Sequence, residues 1–164
     1  MHTPASLPAV TITGVGAYVP ERILTNDALS GIVDTSDEWI RTRTGIRERH
    51  IGADDEPSSA MAARAARQAL ERAGARPEEI DLLVVATITP DSAMPSTACR
   101  VQPLLGLVNA TCFDLNAACS GFVYALETAR QFVDTGTARK ALVVGVDKMS
   151  TVLDWQDRTT CVLF

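Results

Sequence analysis

Cys119 holds the position best suited to covalent chemistry in this 164-residue sequence. It follows the apolar run Thr111 to Leu115 and the turn Asn116-Ala117-Ala118, and it stands directly before Ser120-Gly121-Phe122, where a helical pattern begins. Free backbone N–H groups and the macrodipole at a helix start favour the thiolate, which is the nucleophilic form of cysteine. The small neighbours Ala117, Ala118, Ser120 and Gly121 leave room for a thioester carbonyl, and nearby backbone N–H groups could hold its oxyanion. The competing assignment is a small hydrophobe in a helix–sheet contact, the usual role of an unpaired cysteine. Cys99, Cys112 and Cys161 fall inside helix or strand patterns and read as core residues.

A second feature is a basic island. Arg41, Arg43, Arg47 and Arg49 crowd into nine residues beside Trp39, in a chain whose net charge is -5. Taken alone, this is a solvated helix face with a part-buried tryptophan. The overall acidity argues against phosphate-backbone binding and hence against a nucleic-acid partner. No C-x-x-C pair is present, and His2 and His50 are the only imidazoles, so neither a metal site nor a disulfide is assigned. Apolar runs such as Leu82 to Ala86 and Ala141 to Val144 are far shorter than the roughly 20 residues of a membrane span. Met1 to Pro8 lacks a signal-type apolar stretch. A soluble, cytoplasmic protein is expected.

The elements that must position these residues are legible as an alternation. Val10 to Val15 reads as a first strand turning at Gly14 and Gly16. Short helices are expected at Asn26 to Ser30 and Ser36 to Thr42, the latter with Ser36 as N-cap and Asp37 and Glu38 in its first turn. A longer helix starts at Ser58 or Ser59, repeats Ala62, Ala65, Ala66, Ala69, Leu70 and Ala73 on one face, and stops at Gly74. Asp81 to Thr87 reads as a strand covered on both faces. Pro95 to Leu105 reads as a helix shortened by Pro103. Then follow a strand at Thr111 to Leu115, a helix from Ser120 to Val133 and a buried strand at Ala141 to Val146. Thr159 to Phe164 has strand composition. Buried strands alternating with helices imply an α/β layered sheet, counted by default as one domain.

The runs Asp34-Thr-Ser-Asp-Glu-Trp-Ile-Arg-Thr-Arg-Thr-Gly-Ile-Arg-Glu-Arg-His50 and Asn116-Ala-Ala-Cys-Ser-Gly-Phe122 closely resemble those of the β-ketoacyl-acyl carrier protein synthase III family, from about Ile12 to Phe164. The resemblance implies a thiolase-like layered fold with a mixed sheet and helices on both faces, of which residues 1–164 are the N-terminal half-domain. It implies an acyltransferase that starts fatty-acid synthesis. An acyl group passes from acyl-CoA to Cys119, and malonyl-acyl carrier protein then condenses with it by decarboxylation, giving 3-oxoacyl-acyl carrier protein. By the same resemblance Trp39 and Arg158 stack on the two faces of the coenzyme A adenine, Thr35 meets its edge and Arg43 its phosphates. Met94 lines the acyl pocket of the partner in a homodimer. Coenzyme A esters are substrates, and no cofactor is implied.

The family's catalytic His and Asn lie beyond the matched half, and no such pair follows Cys119. The expectation is therefore that the C-terminal half is cleaved off or supplied as a separate chain. The alternatives are a polyketide-priming or other thiolase-fold synthase, which shares the acyl-cysteine step, and a non-catalytic half-subunit.

Overall fold

Leu82–Ala86 is apolar at every position, and in the computed structural model, which describes residues 10–164, it is the middle strand of a parallel sheet. In chain order the elements are β1 (Arg22–Thr25), α1 (Asn26–Ser30), α2 (Asp37–Thr44), β2 (Glu48–Ile51), α3 (Ser58–Ala73), β3 (Leu82–Ala86), α4 (Thr97–Leu105), β4 (Thr111–Leu115), α5 (Gly121–Asp134), β5 (Ala141–Gly145) and α6 (Arg158–Cys161). Residues 10–18 and 58–147 form one compact unit, and residues 19–57 and 148–164 form a second.

In the first unit the strand order is β4-β3-β5, with Leu82 opposite Thr111 and Ala141, and Ala86 opposite Leu115 and Gly145. Successive side chains of a strand point to opposite faces, so β3 serves two cores. Leu83 and Val85 pack with Ala62, Ala66 and Leu70 of α3 and Val101 and Leu105 of α4. Leu82, Val84 and Ala86 pack with Ala125 and Ala129 of α5. Helices therefore cover both faces of an α/β sheet, as expected. Its described strands are all parallel, and antiparallel pairing is confined to β1–β2 in the other unit. Helix α5 leaves Phe122, Val123, Tyr124 and Leu126 exposed, and β4 is an edge strand among the described residues.

Of the N-terminal expectations, only the first strand needs correction. His2 and the stretch Met1 to Pro8 lie outside the described residues. Val10 to Val15 joins no sheet; the segment runs along α3 instead. A Cβ on Gly14 would stand 2.8 Å from the Ala73 nitrogen, and one on Gly16 would stand 2.7 Å from the Ala69 nitrogen. The two glycines and the alanine face of α3 are thus parts of one close backbone contact. Gly16→Ala is expected to cost about 1–3 kcal/mol by overpacking, read as a lowered midpoint in thermal unfolding.

In the second unit, β1 and β2 pair antiparallel and α1, α2 and α6 enclose Leu29, Val33, Ile40, Cys161 and Val162. The Ser36 side chain accepts from the Trp39 N–H at 3.1 Å, and Gly45 closes α2 at φ 76°. Both are what a capped, glycine-terminated helix requires. Thr159 to Phe164 is not a strand. The Asp157 carboxylate accepts from the Thr159 N–H at 2.8 Å, which starts a helical turn, and that turn buries Cys161 and Val162.

Candidate active site

The polypeptide leaves β4 at Leu115, passes Asn116 and Ala117, and makes a single tight turn over Ala118–Ser120 before α5. Ala118 has φ 46°, the left-handed region that costs a side-chain-bearing residue on the order of 1 kcal/mol and recurs at functional sites. The next residue is Cys119, and its side chain is exposed. Among the described residues it is therefore not packed into a helix–sheet contact. No side chain caps the start of α5, so its first-turn N–H groups are not taken by one.

The elbow sits at the carboxyl ends of the parallel strands. A Cβ on Gly121 would stand 3.3 Å from Ala86 Cβ, and one on Gly145 would stand 3.1 Å from the Phe122 ring. Two glycines therefore let the first turn of α5 settle on β3 and β5. Asp147 braces the same edge. Its Oδ1 accepts from Thr87 Oγ1 at 3.1 Å, the Ile88 N–H at 2.8 Å and Thr89 Oγ1 at 3.2 Å. Asp114, on β4, accepts the N–H groups of Thr97 and Ala98, both at 2.7 Å, and so anchors the start of α4. Neither carboxylate has a local sequence signal, because its partners are 16 to 60 residues away.

The other cysteines divide differently from expectation. Cys161 is buried, but Cys99 is exposed, because the buried side of α4 carries Thr97, Ala98, Val101 and Leu105 and Cys99 lies a step off that face. Cys112 is half-buried, and burial first, then the neighbouring Cys99, pushes its thiol up to about 11 from 9.0. The folded state thus holds this proton more tightly than the unfolded chain does. Its contribution to stability is present below about pH 9 and is lost as pH rises towards about 11. Alkylation of Cys112 by iodoacetamide, followed by peptide mass spectrometry, is expected to accelerate only above about pH 10.

In the second unit, the guanidinium carbons of Arg43 and Arg158 lie 4.3 and 4.6 Å from the centroid of the Trp39 ring. Arg158 also donates from Nη1 to the Asp34 carbonyl at 2.8 Å. An open cleft of about 560 Å³ is lined by Ile32, Val33, Asp34, Gln156 and Arg158. A flat ring held between two planes needs about 7 Å, twice a carbon–carbon contact. Arg158 must therefore swing off Trp39 to admit one. Arg43, expected at phosphates, rests on the indole. Thr35 Oγ1 is buried without a hydrogen-bond partner, so a contact from it to a ligand requires a χ1 rotation. Thr35, Trp39, Arg43 and Arg158 thus gather on the second unit, whereas Cys119 and Met94 belong to the first. Met94 is 85% exposed in the loop before α4. His50, the one imidazole among the described residues, has its Nδ1 2.6 Å from the Pro20 carbonyl oxygen in the second unit. Among the described residues there is no His/Cys/Asp/Glu cluster fit for a metal and no helix long and apolar enough to cross a membrane.

Comparison with known proteins covers both regions. The profile of the family described as 3-oxoacyl-[acyl-carrier-protein (ACP)] synthase III matches residues 113–164, a stretch holding both Cys119 and Arg158. A β-ketoacyl-[acyl-carrier-protein] synthase III of Xanthomonas campestris pv. campestris is 60% identical over 153 residues, covering 93% of this chain and 47% of the relative. Among solved structures, 3-oxoacyl-[acyl-carrier-protein] synthase III from Aquifex aeolicus VF5 aligns with TM-score 0.90 at 53% identity, over 93% of this chain and 49% of that one. The priming β-ketosynthase of the R1128 polyketide biosynthetic pathway aligns with TM-score 0.91 at 44% identity, over 93% and 46%. The chain spans about half the length of the relatives it matches.

Proposed function

We propose that this chain, which is 60% identical to a β-ketoacyl-[acyl-carrier-protein] synthase III over 47% of that relative's length, is an amino-terminal half of that family and carries the acyl-accepting cysteine of an initiating condensing enzyme. The observation that supports this most is the exposed Cys119 thiol on a strained turn at an uncapped helix start. The Cys119 thiolate attacks the carbonyl carbon of a short acyl-CoA. A sulfur–carbon bond forms, the bond to the coenzyme sulfur breaks, and coenzyme A leaves and takes up a proton. Malonyl-acyl carrier protein then loses its carboxylate as carbon dioxide. The electron pair so released forms the new carbon–carbon bond and expels the Cys119 thiolate, leaving 3-oxoacyl-acyl carrier protein. Sulfur supplies the nucleophile and decarboxylation the carbanion, so the reaction as written calls for no metal or prosthetic group.

On this reading residues 1–164 are one half-domain, and the carboxyl-terminal half supplies the His and Asn that stabilise the carbanion and oxyanion. The exposed apolar side chains of α5 fit such a neighbour. Trp39 and Arg158 clamp the adenine, Arg43 turns from the indole to the phosphates, and Thr35 meets the base edge. The exposed thioether of Met94 lines the partner's acyl pocket in a homodimer. The site of action is the cytoplasm. The similarity to a polyketide priming synthase supports a second reading in which only the acceptor carrier protein differs.

Intact-mass spectrometry before and after addition of acetyl-CoA tests the proposal, on the chain alone and on the chain co-expressed with a carboxyl-terminal half. One acetyl group per chain, on Cys119, is the expected result. No adduct in either preparation makes this a non-catalytic half-subunit.

A further inference from the structure

Asn26 and Arg49 are the two buried polar side chains of the second unit, 1% and 5% exposed, and neither belongs to the clamp described above. Arg49 donates from Nη1 to Asn26 Oδ1 at 2.7 Å and from Nη2 to the Val162 carbonyl at 2.9 Å. Asn26 donates from Nδ2 to Asp37 Oδ1 and to the Ile46 carbonyl, both at 2.8 Å. Asp37 opens α2 two residues before Trp39, Ile46 follows that helix, and Val162 directly follows α6, whose first residue is Arg158. Two buried side chains on β2 and α1 thus tie together the backbone segments that present Trp39 and Arg158.

We propose that Asn26 and Arg49 are positioning residues for the Trp39–Arg158 clamp and thereby set its affinity for the adenine nucleotide end of coenzyme A. The proposal rests on the reading of that clamp as the coenzyme site. The argument is one of geometry. A planar fork reaches two acceptors in fixed directions, whereas a lysine ammonium at the same place is a point donor that satisfies them with no fixed angle. The amide of Asn26 commits both of its N–H donors and its oxygen, accepting from Arg49 on one side and donating twice on the other. Loosening either residue lets α2 and α6 shift relative to each other. The gap of about 7 Å that a ring between Trp39 and Arg158 needs is sensitive to shifts of a fraction of an ångström.

The test is calorimetric titration of the full chain with coenzyme A, at a temperature where every variant remains folded, for the wild type, Trp39→Ala, Arg49→Lys and the double variant. Asn26→Ser replaces Arg49→Lys if the latter does not fold. Trp39→Ala is expected to weaken binding at least tenfold and Arg49→Lys about tenfold, with the double variant no weaker than Trp39→Ala alone. Wild-type affinity in Arg49→Lys, or losses that multiply in the double variant, overturns the positioning role and leaves the clamp standing. If Trp39→Ala binds as the wild type does, or if the wild type does not bind, the clamp reading fails by itself. Acrylamide quenching of Trp39 fluorescence in a Trp155→Phe background then decides the positioning role: increased quenching with Arg49→Lys supports it, and unchanged quenching overturns it.

Discussion

Cys119→Ala is expected to abolish the acetyl adduct and any condensation that follows, a loss on the order of 10⁴- to 10⁶-fold, the scale on which removal of a nucleophile acts. Cys119→Ser is expected to recover none of it, because a serine hydroxyl is a far weaker nucleophile than a thiol unless an adjacent base ionises it. Cys119 is exposed, so its replacement should change stability by no more than about 0.5 kcal/mol. An unchanged melting temperature would therefore mark the loss as chemical. The control that matters is Cys99, the other exposed thiol. Cys112 is protonated at neutral pH, with its thiol near 11, and Cys161 is buried, so neither competes for the acyl group. Cys99→Ala should acylate like the wild type. An adduct that survives in Cys119→Ala and disappears in Cys99→Ala would refute the assignment.

Local signals carried much of this structure. Ser36 marks the start of α2 because a side-chain cap is a requirement of a few consecutive residues, whereas the helix runs two residues past the expected Thr42 before Gly45 closes it. The apolar run at β3 is legible because a strand covered on both faces has no polar position to interrupt it. The elbow at Cys119 is legible for the same reason, since strand, small turn and helix start are contiguous. Where the outcome depended on a distant partner, composition misled. Val10 to Val15 has strand residues but lies along α3, and Thr159 to Phe164 turns helical because Asp157 caps it and the apolar cluster around Ile40 takes up Cys161 and Val162. The strand β2, with Glu48, Arg49 and His50 in sequence, has no apolar period and was hidden inside the basic run. Within that run Arg49 is not part of a solvated face at all. Burial lowers its pKa and its hydrogen bonds run inwards. One of four arginines in nine residues is structural, and nothing in their spacing distinguishes it.

Asp114→Ala is expected to be the most destabilising single change at the candidate site. The carboxylate spans the first two N–H groups of α4, 2.7 Å from each, and Thr97 and Ala98 are themselves fully buried. Removing it strands two buried donors, each worth about 1–3 kcal/mol when unpaired. It also removes a negative charge from a helix N-terminus, where charge is favourable. The combined cost is placed at about 3 kcal/mol, which for a chain of this size lowers the melting temperature by about 6–12 °C. Asp114→Asn retains one acceptor oxygen and should lose roughly half as much. Comparison of the two by thermal unfolding separates the capping role from any effect of the side chain's bulk. If Asp114→Ala melts within 2 °C or so of the wild type, the carboxylate does not hold α4. Because Asp114 lies on the strand that leads to the Cys119 turn, and α4 begins three residues after Met94, the same substitution loosens both the Cys119 turn and the loop that carries Met94. Acylation measured on the folded fraction of Asp114→Asn should fall less steeply than stability, since the nucleophile itself is untouched.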